Sequence, residues 1–87
     1  MPQHNHIVVF YGLSTCIHCR HAREFLENHH IEFELHYVDK AEGEERTELL
    51  GKVREYNPSV SFPTIVIDSS TVIVGFQPEA LTEALEA

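Results

Sequence analysis

Two cysteines, Cys16 and Cys19, stand three positions apart in the stretch YGLSTCIHCRHAREFL, and the chain has no others. Thiols at this spacing suit three kinds of chemistry, which are thiol-disulfide exchange, metal binding and a structural disulfide. A structural disulfide is the weakest of these interpretations, because a bond across so short a loop constrains the unfolded chain little. The pair is therefore interpreted as chemically active, and its spacing favours redox exchange over metal binding.

The two sulfurs are predicted to have different roles, because the pair falls at the start of a helix-like segment. Cys16 lies where free backbone N–H groups and the positive end of the helix dipole stabilise a thiolate. Cys19 continues a stripe of apolar residues at helical spacing, namely Ala22, Phe25 and Leu26. We therefore predict that Cys16 attacks a partner disulfide and that the shielded Cys19 resolves the resulting mixed disulfide.

A metal site is the main alternative for the cysteines, which could be joined by His18, by His21 or by the N-terminal His4 and His6. Structural zinc usually takes four protein ligands from paired clusters, and the sequence has no second cysteine pair. We therefore predict no metal ligand. A metal or iron–sulfur carrier that uses Cys16 stays open as an alternative, as does an interaction module without redox activity.

Among the seven histidines, only His18 lies between the cysteines. An imidazolium at this position stabilises a neighbouring thiolate, so we predict that His18 tunes the reactive thiol. Apart from His21, the remaining histidines are predicted from their polar or loop context to be exposed polar residues; they are His4, His6, His29, His30 and His36.

Hydrophobic periodicity predicts the elements that must position the pair. Residues 7–11 form a continuous apolar run, which is typical of a central strand buried on both faces. Residues 32–38 alternate between apolar and polar, which indicates a half-exposed edge strand. The other predicted elements are helices at residues 16–29 and 42–56, strands at 64–68 and 71–74, and a last helix from residue 78. The order βαβαββα predicts an α/β fold with a mixed four-stranded sheet and helices on both faces.

The composition predicts one domain and disfavours several kinds of partner. The chain has 87 residues, of which 43% are hydrophobic, so we place one domain at residues 7–87 after a flexible N-terminus of residues 1–6. The net charge of −8 disfavours a nucleic-acid surface, which needs clustered Lys and Arg. The polar start MPQHNH has neither a signal-peptide nor a membrane-spanning pattern, so we expect a cytoplasmic monomer with no membrane partner.

Taken together, these features resemble the thioredoxin superfamily, and within it the glutaredoxins and NrdH-type redoxins, over residues 7–86. The resemblance rests on Cys-Ile-His-Cys at residues 16–19, on Phe-Pro at residues 62–63, and on Gly-Phe-Gln-Pro-Glu at residues 75–79. The last stretch is similar to one in NrdH-type redoxins. The resemblance implies a thioredoxin fold of the glutaredoxin type and an oxidoreductase that reduces protein disulfides without a bound organic cofactor.

The resemblance also implies where a substrate binds. In this family the proline before the third strand follows a cis peptide bond, lies against the cysteines and presents backbone that pairs with the substrate chain. By resemblance, the substrate-binding residues are Phe62, Pro63, Thr64, Gly75 and Phe76.

The electron donor stays open at the level of sequence. Glutathione-dependent members resemble one another in a basic residue before the first cysteine and a pair of glycines before the last helix. Here Leu13 and Phe76 stand at those places, although Arg20 or Lys40 could partly substitute for the missing basic residue. The stretch 75–79 favours a thioredoxin-reductase-type flavoprotein, whereas the general likeness to glutaredoxins favours glutathione.

Overall fold

The computed structural model describes residues 6–86, and these form four strands and three α-helices in the predicted order. The elements are β1 (Val8–Gly12), α1 (Ile17–Asn28), β2 (Glu34–Tyr37), α2 (Gly43–Tyr56), β3 (Thr64–Ile67), β4 (Thr71–Val74) and α3 (Pro78–Glu86). The predicted flexible N-terminus, apart from its last residue, lies outside the described residues, as does Ala87. No helix within residues 6–86 is both long enough and apolar enough to cross a membrane.

The strand order in the sheet is β2-β1-β3-β4, so β1 is central and β2 lies at an edge, as predicted. β1 runs parallel to β2 and antiparallel to β3, and β3 and β4 form the predicted antiparallel hairpin. Tyr11 near the end of β1 pairs with Thr64 at the start of β3. This register places the loop that follows β1 next to the loop that precedes β3.

Each face of the sheet carries its own apolar cluster. Phe10 and Leu26 are fully buried on the face that α1 and α3 cover, and Tyr11 and Val53 are buried on the face that α2 covers. Neighbouring residues of β1 point to opposite faces, which is why Phe10 and Tyr11 belong to different clusters. Each large apolar side chain buried in this way stabilises the fold by about 1.5 to 3 kcal/mol, so the clusters hold the three helices against the sheet.

The second strand is shorter than predicted, because the chain leaves the sheet in a 3-10 turn, Val38–Lys40. Val38 is 2% exposed and packs in the cluster beneath α2. The turn directs Asp39 toward the loop after β1. Strict alternation of apolar and polar residues ends at Tyr37, because Tyr37 and Val38 are both apolar, and the predicted strand extended one residue too far at this end.

The prediction that the remaining histidines are exposed is wrong for two of them. His6 is half-buried and contacts a carboxylate just beyond β3, and His36 is half-buried and stacks on a tyrosine of β1. Both partners come from distant parts of the chain, so local sequence does not reveal them. The prediction is confirmed for His29 and His30, while His4 lies outside the described residues.

Candidate active site

Cys16 caps the N-terminus of α1, at the end of the short loop that follows β1. Its N–H donates to the Leu13 carbonyl at 3.2 Å, which closes a turn in that loop. The Cys16 Sγ is partly exposed and accepts a hydrogen bond from the Cys19 N–H at 3.2 Å. A thiolate at this place meets the free N–H groups and the positive dipole end of a helix, which is the environment that activates cysteine nucleophiles.

Cys19 lies on the buried side of the same helix turn, with 2% of its surface exposed. Burial, and next its contact with the Cys16 side chain, raise the pKa of the Cys19 thiol to about 12. The Leu13 N–H donates to the Cys19 Sγ at 3.4 Å and opposes this rise. Both cysteines are free thiols, and the structure therefore presents one accessible sulfur and one shielded sulfur, as the sequence predicted.

Gly12 allows the chain to pass close to the shielded sulfur. A Cβ atom at this position would lie 2.7 Å from Cε1 of Phe10 and 3.4 Å from the Cys19 Sγ. The Phe10 ring is fully buried and has little room to move. Gly12 was not among the predicted site residues; its position between a buried strand and the cysteine motif is the signal that could have identified it.

Asp39 ties the first loop to the 3-10 turn after β2. One carboxylate oxygen of Asp39 accepts from the Ser14 N–H at 2.9 Å, and the other accepts from the Ser14 hydroxyl. These bonds, the hydroxyl first and the N–H second, lower the pKa of the Asp39 carboxyl below its ordinary value. Sequence reasoning missed this contact, which joins positions 25 residues apart.

The loop before β3 brings two of the predicted substrate-binding residues to the cysteines. The peptide bond between Phe62 and Pro63 is cis, as the family resemblance implied. The Phe62 carbonyl oxygen lies 4.0 Å from the Cys16 Sγ. The Pro63 carbonyl accepts from the Gly75 N–H at 2.8 Å, so the two separate stretches of the resemblance meet beside Cys16.

Gly75 and Phe76 link the loop before β3 to α1. Gly75 has φ +81°, a left-handed conformation that favours glycine. Phe76 is half-buried and packs against α1, with its ring centroid 6.1 Å from that of His21 and 6.0 Å from that of Phe25. Phe76 therefore packs the last loop on α1 and keeps part of its ring at the surface.

The remaining predicted site residues, Thr64 and His18, differ in exposure. The Thr64 side chain is fully buried and its hydroxyl donates to the Ser61 carbonyl at 2.7 Å. Its backbone lies in a strand that pairs with β1 on one side and β4 on the other, so Thr64 presents no free surface to a substrate. His18 is exposed in the first turn of α1, and its imidazole makes no hydrogen bond to another of the described residues. Beside it, Ile17 is 50% exposed and adds an apolar surface next to Cys16.

Possible metal ligands are not gathered at this site. Within residues 6–86, no group of three or more His, Cys, Asp or Glu side chains is placed so as to hold a metal ion. His18 and His21 therefore do not join the cysteines in a ligand cluster, and His4 lies outside the described residues.

The chain is similar in sequence and fold to several solved structures. The crystal structure of methanoredoxin from Methanosarcina acetivorans superposes with a TM-score of 0.88 at 40% sequence identity, covering 92% of this chain and 84% of that chain. The glutaredoxin of Methanosarcina mazei Go1 gives a TM-score of 0.87 at 39% identity, covering 99% of this chain and 90% of that chain. The glutaredoxin grx-1 of Archaeoglobus fulgidus gives 0.86 at 39% identity, covering 92% and 86%.

These similarities confirm the predicted thioredoxin-like fold of the glutaredoxin type. No curated protein matches the sequence. A sequence model of the glutaredoxin family matches residues 8–72, which include both cysteines and the Phe62–Pro63 loop. The protein therefore belongs to the glutaredoxin family of thiol redoxins.

Proposed function

We propose that this protein reduces disulfide bonds of other proteins by dithiol exchange through Cys16 and Cys19. In the first step the Cys16 thiolate attacks one substrate sulfur; a mixed disulfide forms, the substrate S–S bond breaks, and the second substrate sulfur leaves as a thiolate. In the second step Cys19 loses its proton and attacks the Cys16 Sγ. The internal disulfide forms, the first substrate sulfur leaves, and two electrons have passed to the substrate.

The contrast between the two sulfurs is the observation that carries this proposal. The Cys16 Sγ is partly exposed at the helix N-terminus and already accepts a backbone hydrogen bond. Cys19 is buried, and a thiol whose pKa is raised to about 12 is protonated near neutral pH. The first nucleophile is therefore Cys16, and Cys19 can act only on a sulfur delivered to it through Cys16.

The backbone around Phe62 and Pro63 is the proposed docking edge for the substrate chain. The Phe62 carbonyl lies 4.0 Å from the attacking sulfur, so a substrate strand that pairs with this edge brings its disulfide next to Cys16. Thr64 supports this edge from within the sheet, where it pairs with β1 and β4, and Gly75 supports it through its hydrogen bond to Pro63. Phe76 and Ile17 supply the neighbouring apolar surface.

The electron donor that fits this site best is a thioredoxin-reductase-type flavoprotein. Leu13 stands where a glutathione-dependent site would have a basic residue. Phe76 follows Gly75 in place of a second glycine, and its ring fills space against α1. Glutathione is the alternative donor.

The order of attack is tested with two serine variants and a purified protein disulfide such as insulin. Cys16→Ser should abolish reduction and form no adduct, whereas Cys19→Ser should accumulate a mixed disulfide that mass spectrometry detects and dithiothreitol releases. The matched control is the double variant, which should do neither. An adduct on Cys16→Ser alone would reverse the roles, and a wild type that reduces no protein disulfide would overturn the proposal.

The donor is tested by supplying NADPH either with thioredoxin reductase or with glutathione and glutathione reductase. We expect sustained NADPH oxidation in the presence of insulin with the flavoprotein and little with glutathione. Faster turnover with glutathione would assign the protein to the glutathione-dependent branch.

A further inference from the structure

Asn57 holds the loop that carries the proposed docking edge. This residue follows α2, is 7% exposed, and has all of its side-chain hydrogen-bonding atoms engaged within the loop. Its Nδ2 donates to the Ser61 carbonyl at 3.2 Å, to the Ser61 hydroxyl at 3.1 Å and to the Thr64 hydroxyl at 3.1 Å. Its Oδ1 accepts from the Ser59 N–H at 3.2 Å. The loop thus folds around one buried amide.

The partners of Asn57 bracket the docking edge. Ser61 precedes Phe62, and Thr64 follows Pro63, so the amide contacts the chain immediately on both sides of the edge. The Thr64 hydroxyl also donates to the Ser61 carbonyl, which joins the two sides of the edge directly. The Phe62 carbonyl, which faces the Cys16 Sγ, therefore has its position set from inside the loop.

The backbone of this loop does not adopt its shape by local preference. Val60 has φ +51°, a left-handed conformation that is unfavourable for a β-branched residue. It is held there by a hydrogen bond from its N–H to the Asn57 carbonyl at 2.8 Å and by packing in the cluster beneath α2. When the bonds from the Asn57 side chain are lost, only the backbone bond of Val60, its packing and the bond from Thr64 to Ser61 remain to hold this strained path of the chain.

We propose that Asn57 is a positioning residue that sets the rate of protein-disulfide reduction by holding the Phe62–Pro63 edge beside Cys16. This inference rests on the proposed function and adds a residue that touches neither the substrate nor the reacting sulfurs. It predicts that loss of the amide impairs reactions that need the docking edge and spares reactions that need only the thiolate. A residue that served stability alone would affect both kinds of reaction equally.

The test compares a protein disulfide with a small disulfide that needs no docking, such as hydroxyethyl disulfide, for wild type and Asn57→Ala. For insulin we expect kcat/KM to fall at least about tenfold, mainly through KM, because small misplacements of a binding element are costly. For hydroxyethyl disulfide we expect a change of less than about twofold. Asn57→Asp, which keeps the acceptor for Ser59 and loses the donated bonds, should behave like Asn57→Ala.

The matched control is Leu85→Ala in α3, which removes a buried side chain beside Phe25 and His29, toward the end of α1 opposite Cys16. It should lower the free energy of unfolding and leave both reactions unchanged below the unfolding temperature. If Asn57→Ala does not fold, Ser61→Ala removes one acceptor and should give a smaller loss of the same kind. Equal losses for both disulfides, or no loss for insulin, would overturn the inference, whereas a wild type inactive on insulin would overturn the proposed function itself.

Discussion

The two loops that flank Cys16 differ in the side chain that holds them, which is an exposed carboxylate for one loop and a buried amide for the other. The loop before Cys16, residues 13–16, is bound to the exposed carboxylate of Asp39 through the N–H and the hydroxyl of Ser14. The loop across from Cys16, residues 57–63, is folded around the buried and neutral amide of Asn57. The first tie involves a charge in contact with solvent, and the second involves no charge at all.

This difference predicts how each loop responds to change. When a bond to Asp39 is lost, water replaces it, and both pH and salt alter its strength because the acceptor is ionised and exposed. When a bond to Asn57 is lost, a buried polar atom stays unpaired, which costs more and depends on neither pH nor salt. The first loop can therefore respond to solution conditions, while the docking edge keeps one geometry across them.

The largest effect on stability is expected at the base of the first loop, where packing rather than hydrogen bonding holds the chain. Gly12→Ala places a methyl group 2.7 Å from the buried Phe10 ring, so it should lower the free energy of unfolding by about 1 to 3 kcal/mol. The measurement is urea denaturation followed by circular dichroism. Gly51→Ala is the control, because its Cβ meets nothing within 4 Å in α2 and should stabilise the helix by about 0.5 to 1 kcal/mol. Equal effects of the two substitutions on the free energy of unfolding would show that the chain is not tightly packed at Gly12.

The second expected effect concerns the buried hydrogen bonds of the loop at residues 57–63. Thr64→Val removes an acceptor of Asn57 and a donor to Ser61, so it should lower the free energy of unfolding by about 1 to 2 kcal/mol. The loss should be the same at low and high salt and at about pH 5 and pH 7, because no charged group takes part. Thr71→Val, on an exposed position of β4, is the control and should change little. A loss that shrinks in salt would contradict the contrast between the loops.

A smaller and pH-dependent effect is expected for the exposed hydrogen bonds between Ser14 and Asp39. Since the folded-state pKa of Asp39 lies below its ordinary value of 3.8, the carboxylate contributes stability above that value and loses it as pH falls through the folded pKa. Ser14→Ala should therefore be less stable than wild type near neutral pH, and the difference should disappear in strong acid and diminish in salt. Unfolding curves at several pH values measure this, with the exposed Ser70→Ala as control. A difference that persists unchanged in acid would assign the effect to the hydroxyl alone.

The smallest effect is expected for His18, which is exposed at the start of α1. If its imidazolium stabilises the Cys16 thiolate, His18→Val makes the dithiol couple more reducing by about 5 to 20 mV in mildly acidic solution, the size expected for an exposed charge pair. The shift should shrink at high salt, because salt screens the interaction between exposed charges. Equilibration with a thiol redox buffer measures the potential. The control is His30→Asn, just beyond the far end of α1, because Asn tolerates the left-handed φ of +58° at this position. An unchanged potential in acid would make His18 a bystander.

Local sequence determined the order of the elements and the different surroundings of the two thiols. The apolar run of β1 and the helical stripe through Cys19, Ala22 and Leu26 report directly which side of each element is buried, because periodicity follows from backbone geometry. The same local reasoning places Cys16 at a helix start, where the structure has it as the N-cap. The family resemblance supplied the rest of the site, including the cis bond before Pro63.

Only the tertiary structure decided what surrounds these thiols. An asparagine before a proline predicts the end of a helix, and Asn57 does follow α2. Its hydrogen bonds within the loop at residues 57–63 depend on the path of the chain beyond it. Asp39 reaches Ser14 only because β2 lies parallel to β1 and the chain then turns. Phe62 faces Cys16 only because β3 pairs antiparallel with β1 in one register. Periodicity identifies a buried face, whereas contacts between residues far apart in the chain depend on strand order and register, which no local pattern encodes.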